Sequence, residues 1–227
     1  MAGIYKAYDV RGIYPTEIDE AIARKIGLAF QHLLDAEDRA HGGTKVVVSR
    51  DMRPSSLPLA AALIEGLTAA GLDVIDIGLA TTPMNYFAIG HLGAAGGIQV
   101  TASHNPAEYN GMKLSKHEAR PVSGDHGIPL LEQKVMAGDL PEAARPGRVT
   151  TADVFAAYQR HVLSFLRRPA GARPLKVVID AANGMGTIDR PIFEAMGIEV
   201  VPLYFELDGT FPNHEANPPV LANLRDL

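Results

Sequence analysis

The chain has 227 residues, 47% of them hydrophobic, which is enough for a sizeable core and for one or two domains. Acidic residues outnumber basic ones, 26 to 21, and there is no basic run, so the composition argues against a nucleic-acid partner. The chain contains no cysteine, which excludes disulfides and zinc-thiolate sites, and it shows neither a secretory leader nor a membrane span, so we expect a cytoplasmic protein.

A helix is predicted near the start of the chain. The run Thr-Glu-Ile-Asp at residues 16–19 is typical of a helix start, and Ile18, Ile22, Ile26 and Phe30 then recur four residues apart. That spacing puts the four apolar side chains on one face of the helix. We expect this face to lie in the core.

Further along, three apolar runs alternate with helical segments. The runs are predicted strands and cover residues 45–49, 73–78 and 96–100. Between them, Ser55 or Ser56 is expected to cap a helix that ends at Gly71, and Thr82 to cap the next one, which begins with Pro83. Such a βαβαβ pattern predicts a mostly parallel sheet.

A linker is predicted between residues 137 and 148, which contain two prolines and show no hydrophobic period. We therefore place a boundary near residue 145, between a first domain at 1–145 and a second at 146–227. At the start of the second domain, Thr150 and Asp153 predict a capping box for a helix that ends at about Leu166.

The second domain begins another α/β unit. Residues 175–179 and 198–203 are predicted strands, and residues 180–186 turn the chain into a helix that ends at Gly197. One such crossover cannot cover both faces of a parallel sheet, so we expect this domain to be incomplete. The predicted fold class is α/β, with mixed, mostly parallel sheets and helices on both faces.

Ser103 is the main candidate for chemistry. It lies where the strand predicted at residues 96–100 runs into the polar turn Thr-Ala-Ser-His-Asn-Pro, and α/β proteins place ligands at such strand ends. His104 and Lys113 supply donor or cationic groups nearby, which suits a phosphate on the serine. A turn that only reverses the chain explains the same residues equally well.

Ser103 followed by His104 also suggests a hydrolase dyad. We do not expect one, because neighbouring side chains on an extended segment point to opposite sides and the motif Gly-x-Ser-x-Gly is absent.

Arginines in turns beside predicted strands are candidates for phosphate binding, since a guanidinium can bind a phosphate with two hydrogen bonds. For Arg11 we favour this interpretation. For the cluster of Arg50, Asp51 and Arg53 we favour a structural ion pair, in which either Arg50 or Arg53 pairs with Asp51.

Other motifs carry less weight. Residues 183–186 begin like a dinucleotide fingerprint, but Asp189 stands where the third glycine would fall, so a tight turn is the better interpretation. His117 and His214 are each followed by glutamate, yet both lack the second histidine of a zinc helix. Residues 208–214 face either a cleft or the surface, and spacing does not decide which.

Taken together, these segments resemble the α-D-phosphohexomutase family, most closely its bacterial phosphomannomutase/phosphoglucomutase branch. The matching segments follow the family order and cover residues 7–12, 49–55, 101–106, 109–113, 180–186 and 208–218. They correspond to the N-terminal portion of the family, with domain 1 at 1–145 and an incomplete domain 2 at 146–227.

The resemblance implies that Ser103 is a phosphoserine. The enzyme would interconvert hexose 6-phosphate and hexose 1-phosphate, of mannose or glucose, through a hexose 1,6-bisphosphate that also serves as activator. His104 and Lys113 would act in proton transfer or electrostatics, and Arg11 would hold the phosphate. Hexose phosphates are then the expected partners.

The resemblance also implies further contacts. Tyr8, Asn105 and Asn110 would contact substrate or phosphate, and Mg²⁺ would be bound through the phosphate on Ser103. The family's aspartate loop for the metal does not occur in these residues, so we expect the chain to be inactive alone. A non-catalytic phosphosugar-binding or regulatory fragment is the alternative, and the oligomeric state stays open.

Overall fold

A computed structural model describes residues 3–167 and 173–227 of the chain. The helices in these ranges are α1 (Glu20–Phe30), α2 (Ala36–Gly42), α3 (Ser56–Ala69), α4 (Thr82–His91), α5 (Ile128–Ala137), α6 (Phe155–Ser164) and α7 (Arg190–Ala195). The strands are β1 (Val10–Ile13), β2 (Lys45–Arg50), β3 (Asp73–Leu79), β4 (Gly96–Val100), β5 (Tyr109–Lys116), β6 (Val149–Thr151), β7 (Leu175–Asp180) and β8 (Ile198–Leu203).

Among the described residues, six strands form one sheet in the order β1-β5-β4-β2-β3-β6. Strand β2 pairs in parallel with β3 and β4, and β3 pairs in parallel with β6. Strand β5 runs antiparallel to both β4 and β1, because the turn after β4 reverses the chain. The predicted mixed, mostly parallel sheet is confirmed.

Helices cover both faces of this sheet, as predicted. On β2, Val46 and Val48 pack into the core beneath α1, α3 and α5, whereas Val47 points to the opposite side, beneath α4 and α6. Helices α1 and α3 touch through glycines: a β-carbon on Gly66 would lie 2.0 Å from the carbonyl oxygen of Arg24. The close contact therefore depends on a residue without a side chain.

Several helix starts differ from the prediction. Helix α1 begins after Asp19, whose carboxylate accepts from the amide of Ile22 at 2.8 Å. Thr81, rather than Thr82, caps α4. Ser55 precedes α3 but makes no capping hydrogen bond, because its hydroxyl accepts instead from Asn110.

The first sheet continues past residue 145. Strand β6 lies beyond the boundary predicted there and pairs with β3 through Val74 and Val149. The capping box predicted for Thr150 and Asp153 is wrong, because Thr150 lies in β6 and donates to the carbonyl of Val74. Asp153 does act at the helix start, where it accepts from the amide of Phe155 at 2.9 Å.

In the described part of the second unit, β7 and β8 form a two-stranded parallel sheet, which confirms both predicted strands. The predicted helix between them starts as a 3₁₀ turn at Met185–Asp189 and continues as α7. This sheet leaves apolar side chains exposed, among them Leu175 and Val178. Within the described ranges, no helix has the length and apolar character needed to cross a bilayer.

Candidate active site

Ser103 lies in the turn between β4 and β5, at the carboxyl end of the parallel strands. Its backbone is in the left-handed region, with φ of 57°, which costs a residue other than glycine about 1 kcal/mol. Its amide donates to the hydroxyl of Thr101 at 2.9 Å. The side chain is exposed, so the hydroxyl is open to a ligand.

The hydroxyl of Ser103 lies 3.3 Å from Nδ1 of His104. We expected these neighbours to point apart, and that expectation is wrong because Ser103 is not extended. Within the described residues, His104 makes no second side-chain hydrogen bond to orient it, so a hydrolase triad is not formed. The pair can still share a proton between ring nitrogen and hydroxyl.

Arg53 holds the Ser103 turn from inside the protein. Its side chain is fully buried and forms an ion pair with Asp51 at 3.3 Å. Its guanidinium donates to the backbone carbonyls of Ser103 (3.2 Å), Asn105 (2.6 Å), Pro106 (2.6 Å) and Tyr109 (3.0 Å). Burial lowers the pKa of Arg53, and Asp51 opposes this effect. The predicted ion pair is confirmed, and the buried guanidinium supports the turn rather than a ligand.

Asp51 connects Arg53 to the backbone amide of Ser103 through Thr101. One carboxylate oxygen accepts from the amide of Arg53 at 3.0 Å and the hydroxyl of Ser56 at 2.5 Å, and the other accepts from Thr101 at 2.7 Å. Thr101 in turn accepts from Ser103. A signal for this contact is present in the sequence: Asp51 and Thr101 directly follow two strands that pair in the sheet, so the two residues lie side by side at the strand ends.

The two asparagines predicted to bind phosphate have partners in the protein. Asn105 donates from its side chain to the carbonyl of Ala102 at 2.7 Å. Asn110 is fully buried, and its amide nitrogen donates to Ser55 at 2.8 Å and Ser56 at 2.9 Å. In this structure both shape the turn from within.

Two cations share one carboxylate on the neighbouring strands. Asp9 lies 3.5 Å from the guanidinium of Arg11 and 3.8 Å from the ammonium of Lys113. Lys113 is paired with Gln99 across the sheet, on the face opposite to the buried Met112. Both cations are partly exposed, so each can also meet an anion.

A cavity of about 380 Å³ opens beside Ser103 and His104. Both units line it, including Thr81 and Pro83 at the amino end of α4 and Gly184 from the turn after β7. Among the described lining residues there is no lysine or arginine. Tyr8, Arg11 and Lys113 therefore lie outside the cavity proper, and Tyr8 is exposed over 74% of its surface.

Residues 208–213 pack against the Arg53 turn instead of forming a free surface loop. The ring of Phe211 lies 5.0 Å from the guanidinium carbon of Arg53. A β-carbon on Gly209 would lie 2.5 Å from the α-carbon of Arg53. Asn183, from the segment first compared with a dinucleotide fingerprint, supports this loop by accepting from Asn213 at 2.8 Å.

His214 forms an ion pair within the second unit. Nε2 lies 2.9 Å from the carboxylate of Asp180, and Nδ1 lies 2.9 Å from the carbonyl oxygen of Glu215. Because both ring nitrogens face acceptors, the doubly protonated ring fits this site. The pKa of His214 is raised, first by the Glu215 carbonyl and then by Asp180.

The described residues do not fit a metal bound by protein side chains. Residues 3–167 and 173–227 contain no group of three histidine, cysteine, aspartate or glutamate side chains that could hold a metal ion. Asp51, which is linked to the Ser103 turn through Thr101, is already paired with Arg53, and Asp9 is paired with Arg11 and Lys113.

Comparison with known proteins identifies the family. The family model described as phosphoglucomutase/phosphomannomutase, alpha/beta/alpha domain I, matches residues 3–140. A protein of Xanthomonas campestris pv. campestris (strain B100) named "Phosphohexose mutases" is 42% identical in an alignment of 224 positions that covers 96% of this chain and 47% of that relative. A phosphomannomutase of Escherichia coli (strain K12) is 40% identical in an alignment of 230 positions that covers 98% of this chain and 48% of the relative.

A solved structure agrees with these relatives. The crystal structure of a phosphoglucomutase/phosphomannomutase family protein from Burkholderia thailandensis matches with a TM-score of 0.86 and 38% identity, over 98% of this chain and 48% of that one. The chain thus spans about half the length of the curated relatives it matches. With its domain I matched and its fold shared, the chain belongs to the phosphoglucomutase/phosphomannomutase family.

Proposed function

We propose that this chain supplies the phosphoryl-carrying serine of a phosphohexomutase that interconverts hexose 6-phosphate and hexose 1-phosphate. The observation that carries the proposal is the exposed hydroxyl of Ser103, on a turn held from behind by Arg53 and 3.3 Å from a ring nitrogen of His104. The names of the relatives support hexose phosphates, of mannose and glucose, as substrates.

The proposed chemistry is two phosphoryl transfers that balance each other. In the first, the bond between phosphorus and the Ser103 oxygen breaks, a bond to a sugar hydroxyl oxygen forms, and the hydroxyl proton returns to Ser103. In the second, the bond between the other phosphorus of the resulting hexose 1,6-bisphosphate and its sugar oxygen breaks, a bond to the Ser103 oxygen forms, and the Ser103 proton moves to the sugar oxygen. Catalysis of such transfers is mostly positioning and charge stabilisation.

Named side chains supply those two effects. His104 carries the proton between the sugar hydroxyl and the Ser103 oxygen in this proposal, which the 3.3 Å contact between its ring nitrogen and that oxygen supports. Arg11 and Lys113 offset the negative charge of the phosphates, and Asp9 holds the pair on one face of the sheet. Tyr8 is free to contact the sugar phosphate, while Asn105 and Asn110 keep the turn in shape.

Mg²⁺ remains part of the proposal only through Ser103. Since the described carboxylates do not form a metal site, the phosphate on Ser103 would be the single ligand that this chain offers. One phosphate binds Mg²⁺ weakly, so we propose that the chain alone takes up a phosphoryl group on Ser103 in a slow single transfer but does not turn over substrate. Hexose 1,6-bisphosphate is the proposed activator because it can load the serine, and a cytoplasmic location completes the proposal.

A non-catalytic phosphosugar-binding module is the second candidate, favoured by the same lack of a carboxylate cluster in the described residues. Intact-mass measurement separates the two. After incubation with hexose 1,6-bisphosphate, a phosphoryl carrier gains the mass of one phosphoryl group and Ser103→Ala does not. A module that only binds shows saturable binding of the sugar phosphate without any gain in mass.

A further inference from the structure

We infer that Phe211 is a positioning residue for Ser103: by covering Arg53, it makes the shape of the serine turn depend on the loop at residues 208–213 of the second unit. The inference deepens the proposed function and rests on it for its catalytic consequence. Its structural part stands on contacts alone.

Arg53, which holds the Ser103 turn through its guanidinium, is buried. The Arg53 guanidinium has no exposed surface, and it contacts backbone carbonyls on both sides of the turn, from Ser103 to Tyr109. A buried guanidinium must be covered as well as hydrogen-bonded, since water would compete for its donors. Phe211 provides cover, with its ring 5.0 Å from the guanidinium carbon, within the range of a cation–π contact.

The backbone of the loop at residues 208–213 lies very close to the backbone at residues 52–54. A β-carbon on Gly209 would lie 2.7 Å from Pro54 and 2.8 Å from the carbonyl oxygen of Met52. Phe211 itself is in the left-handed region, with φ of 52°. A residue with a bulky side chain adopts a left-handed backbone conformation only where its surroundings impose it. The loop is therefore held in one conformation against Arg53.

Hydrogen bonds attach this loop to the turn that follows β7. Asn183, in the turn after β7, donates to the carbonyl of Glu206 at 2.9 Å and accepts from Asn213 at 2.8 Å. Its backbone carbonyl accepts from the amide of Asp208 at 3.0 Å. The loop therefore moves with β7, and a movement of the second unit would uncover Arg53 and loosen the Ser103 turn.

Hydrogen exchange of the 227-residue chain tests the inference without any phosphate chemistry. The amides of Ser103, Asn105 and Tyr109 are hydrogen-bonded within the turn and serve as probes. In Phe211→Ala we expect their exchange to rise at least about 10-fold, with unchanged exchange in β2. Phe211→Leu keeps apolar cover over Arg53 without the aromatic ring and should raise the exchange of the same amides by about 3-fold. This second variant keeps the test valid if Phe211→Ala misfolds.

Phe165→Ala is the matched control, because Phe165 is an exposed phenylalanine at the end of α6 that contacts His161 and lies outside the loop at residues 208–213. It should leave the probes unchanged. Unchanged probes in both Phe211 variants would overturn the inference, and so would an equal rise in β2 or in the control. Uptake of phosphate from hexose 1,6-bisphosphate should also slow in Phe211→Ala. If the wild-type chain takes up none, the proposed function fails while exchange still decides the positioning role.

Discussion

The guanidinium of Arg53 donates a hydrogen bond of 3.2 Å to the backbone carbonyl of Ser103, across 50 positions of sequence. Ser103 is thus fixed through its main chain, while its side chain stays exposed. A phosphoryl carrier needs this combination, because its oxygen must form and break bonds while its position stays constant.

Arg53→Ala should unfold the chain more easily. It leaves the buried Asp51 without its cation and the turn carbonyls without donors, so we expect a loss of about 3–5 kcal/mol in the free energy of unfolding. Urea denaturation measures this. Arg50→Ala is the control, since Arg50 is partly exposed and donates to the backbone carbonyl of Asp51 at 3.4 Å, and the change should cost less than about 1 kcal/mol. Equal losses would contradict a clamp at Arg53.

Gly66→Ala should also be destabilising. The added β-carbon would lie 2.0 Å from the carbonyl oxygen of Arg24, so α1 and α3 must move apart, at a cost of about 1–3 kcal/mol. Gly90→Ala is the opposite case within α4, because nothing lies within 4 Å of the new carbon, and it should stabilise by about 0.5 kcal/mol. Thermal unfolding of both variants checks the difference in sign, and a stable Gly66→Ala protein would show that the helices are not in contact there.

The pair of His214 and Asp180 predicts a pH dependence. Because the folded pKa of His214 is raised above its usual 6.5, its contribution to stability is complete below about 6.5 and is lost as the pH rises through the folded pKa. Relative to His214→Gln, the wild-type chain should therefore have its largest advantage at about pH 5.5, and less at about pH 8.5. Urea midpoints at both values measure it, and an advantage that grows with pH would refute the ion pair.

Asp189 predicts the opposite kind of pH effect. Burial raises its pKa to about 6, and Oδ1 has no hydrogen-bond partner among the described residues. Its ionised form therefore opposes folding above about pH 6, and the penalty fades as the pH falls toward the unfolded value of 3.8. Asp189→Asn should raise the urea midpoint at about pH 8 and change it little near pH 4. A lower midpoint at the higher pH would show that the carboxylate is stabilised in the folded chain.

Much of the framework could be predicted because it depends on local patterns. Strands β2, β4 and β8 are apolar runs bounded by turn residues, and the position of Ser103 follows from the end of β4. Strand β6 consists of three exposed residues and carries no such pattern. It forms because its backbone pairs with the edge of β3.

The site depended on features that local patterns do not contain. The contact between Ser103 and His104 requires the left-handed backbone conformation of Ser103. An extended conformation, which the sequence pattern predicts for these residues, would place the two side chains on opposite sides. The choice between a ligand and Asp51 as the partner of Arg53 is decided by burial. The place of Phe211 depends on how the two units approach each other, which spacing along the chain does not determine.

The most direct test of the account is the site and stoichiometry of phosphate uptake. The 227-residue chain is incubated with hexose 1,6-bisphosphate, the phosphorylated residue is mapped by peptide mass spectrometry, and the hexose monophosphate released is counted. We expect phosphate on Ser103, one monophosphate released for each phosphoserine formed, and neither product with Ser103→Ala. Phosphate on another residue, or equal uptake by Ser103→Ala, would contradict it.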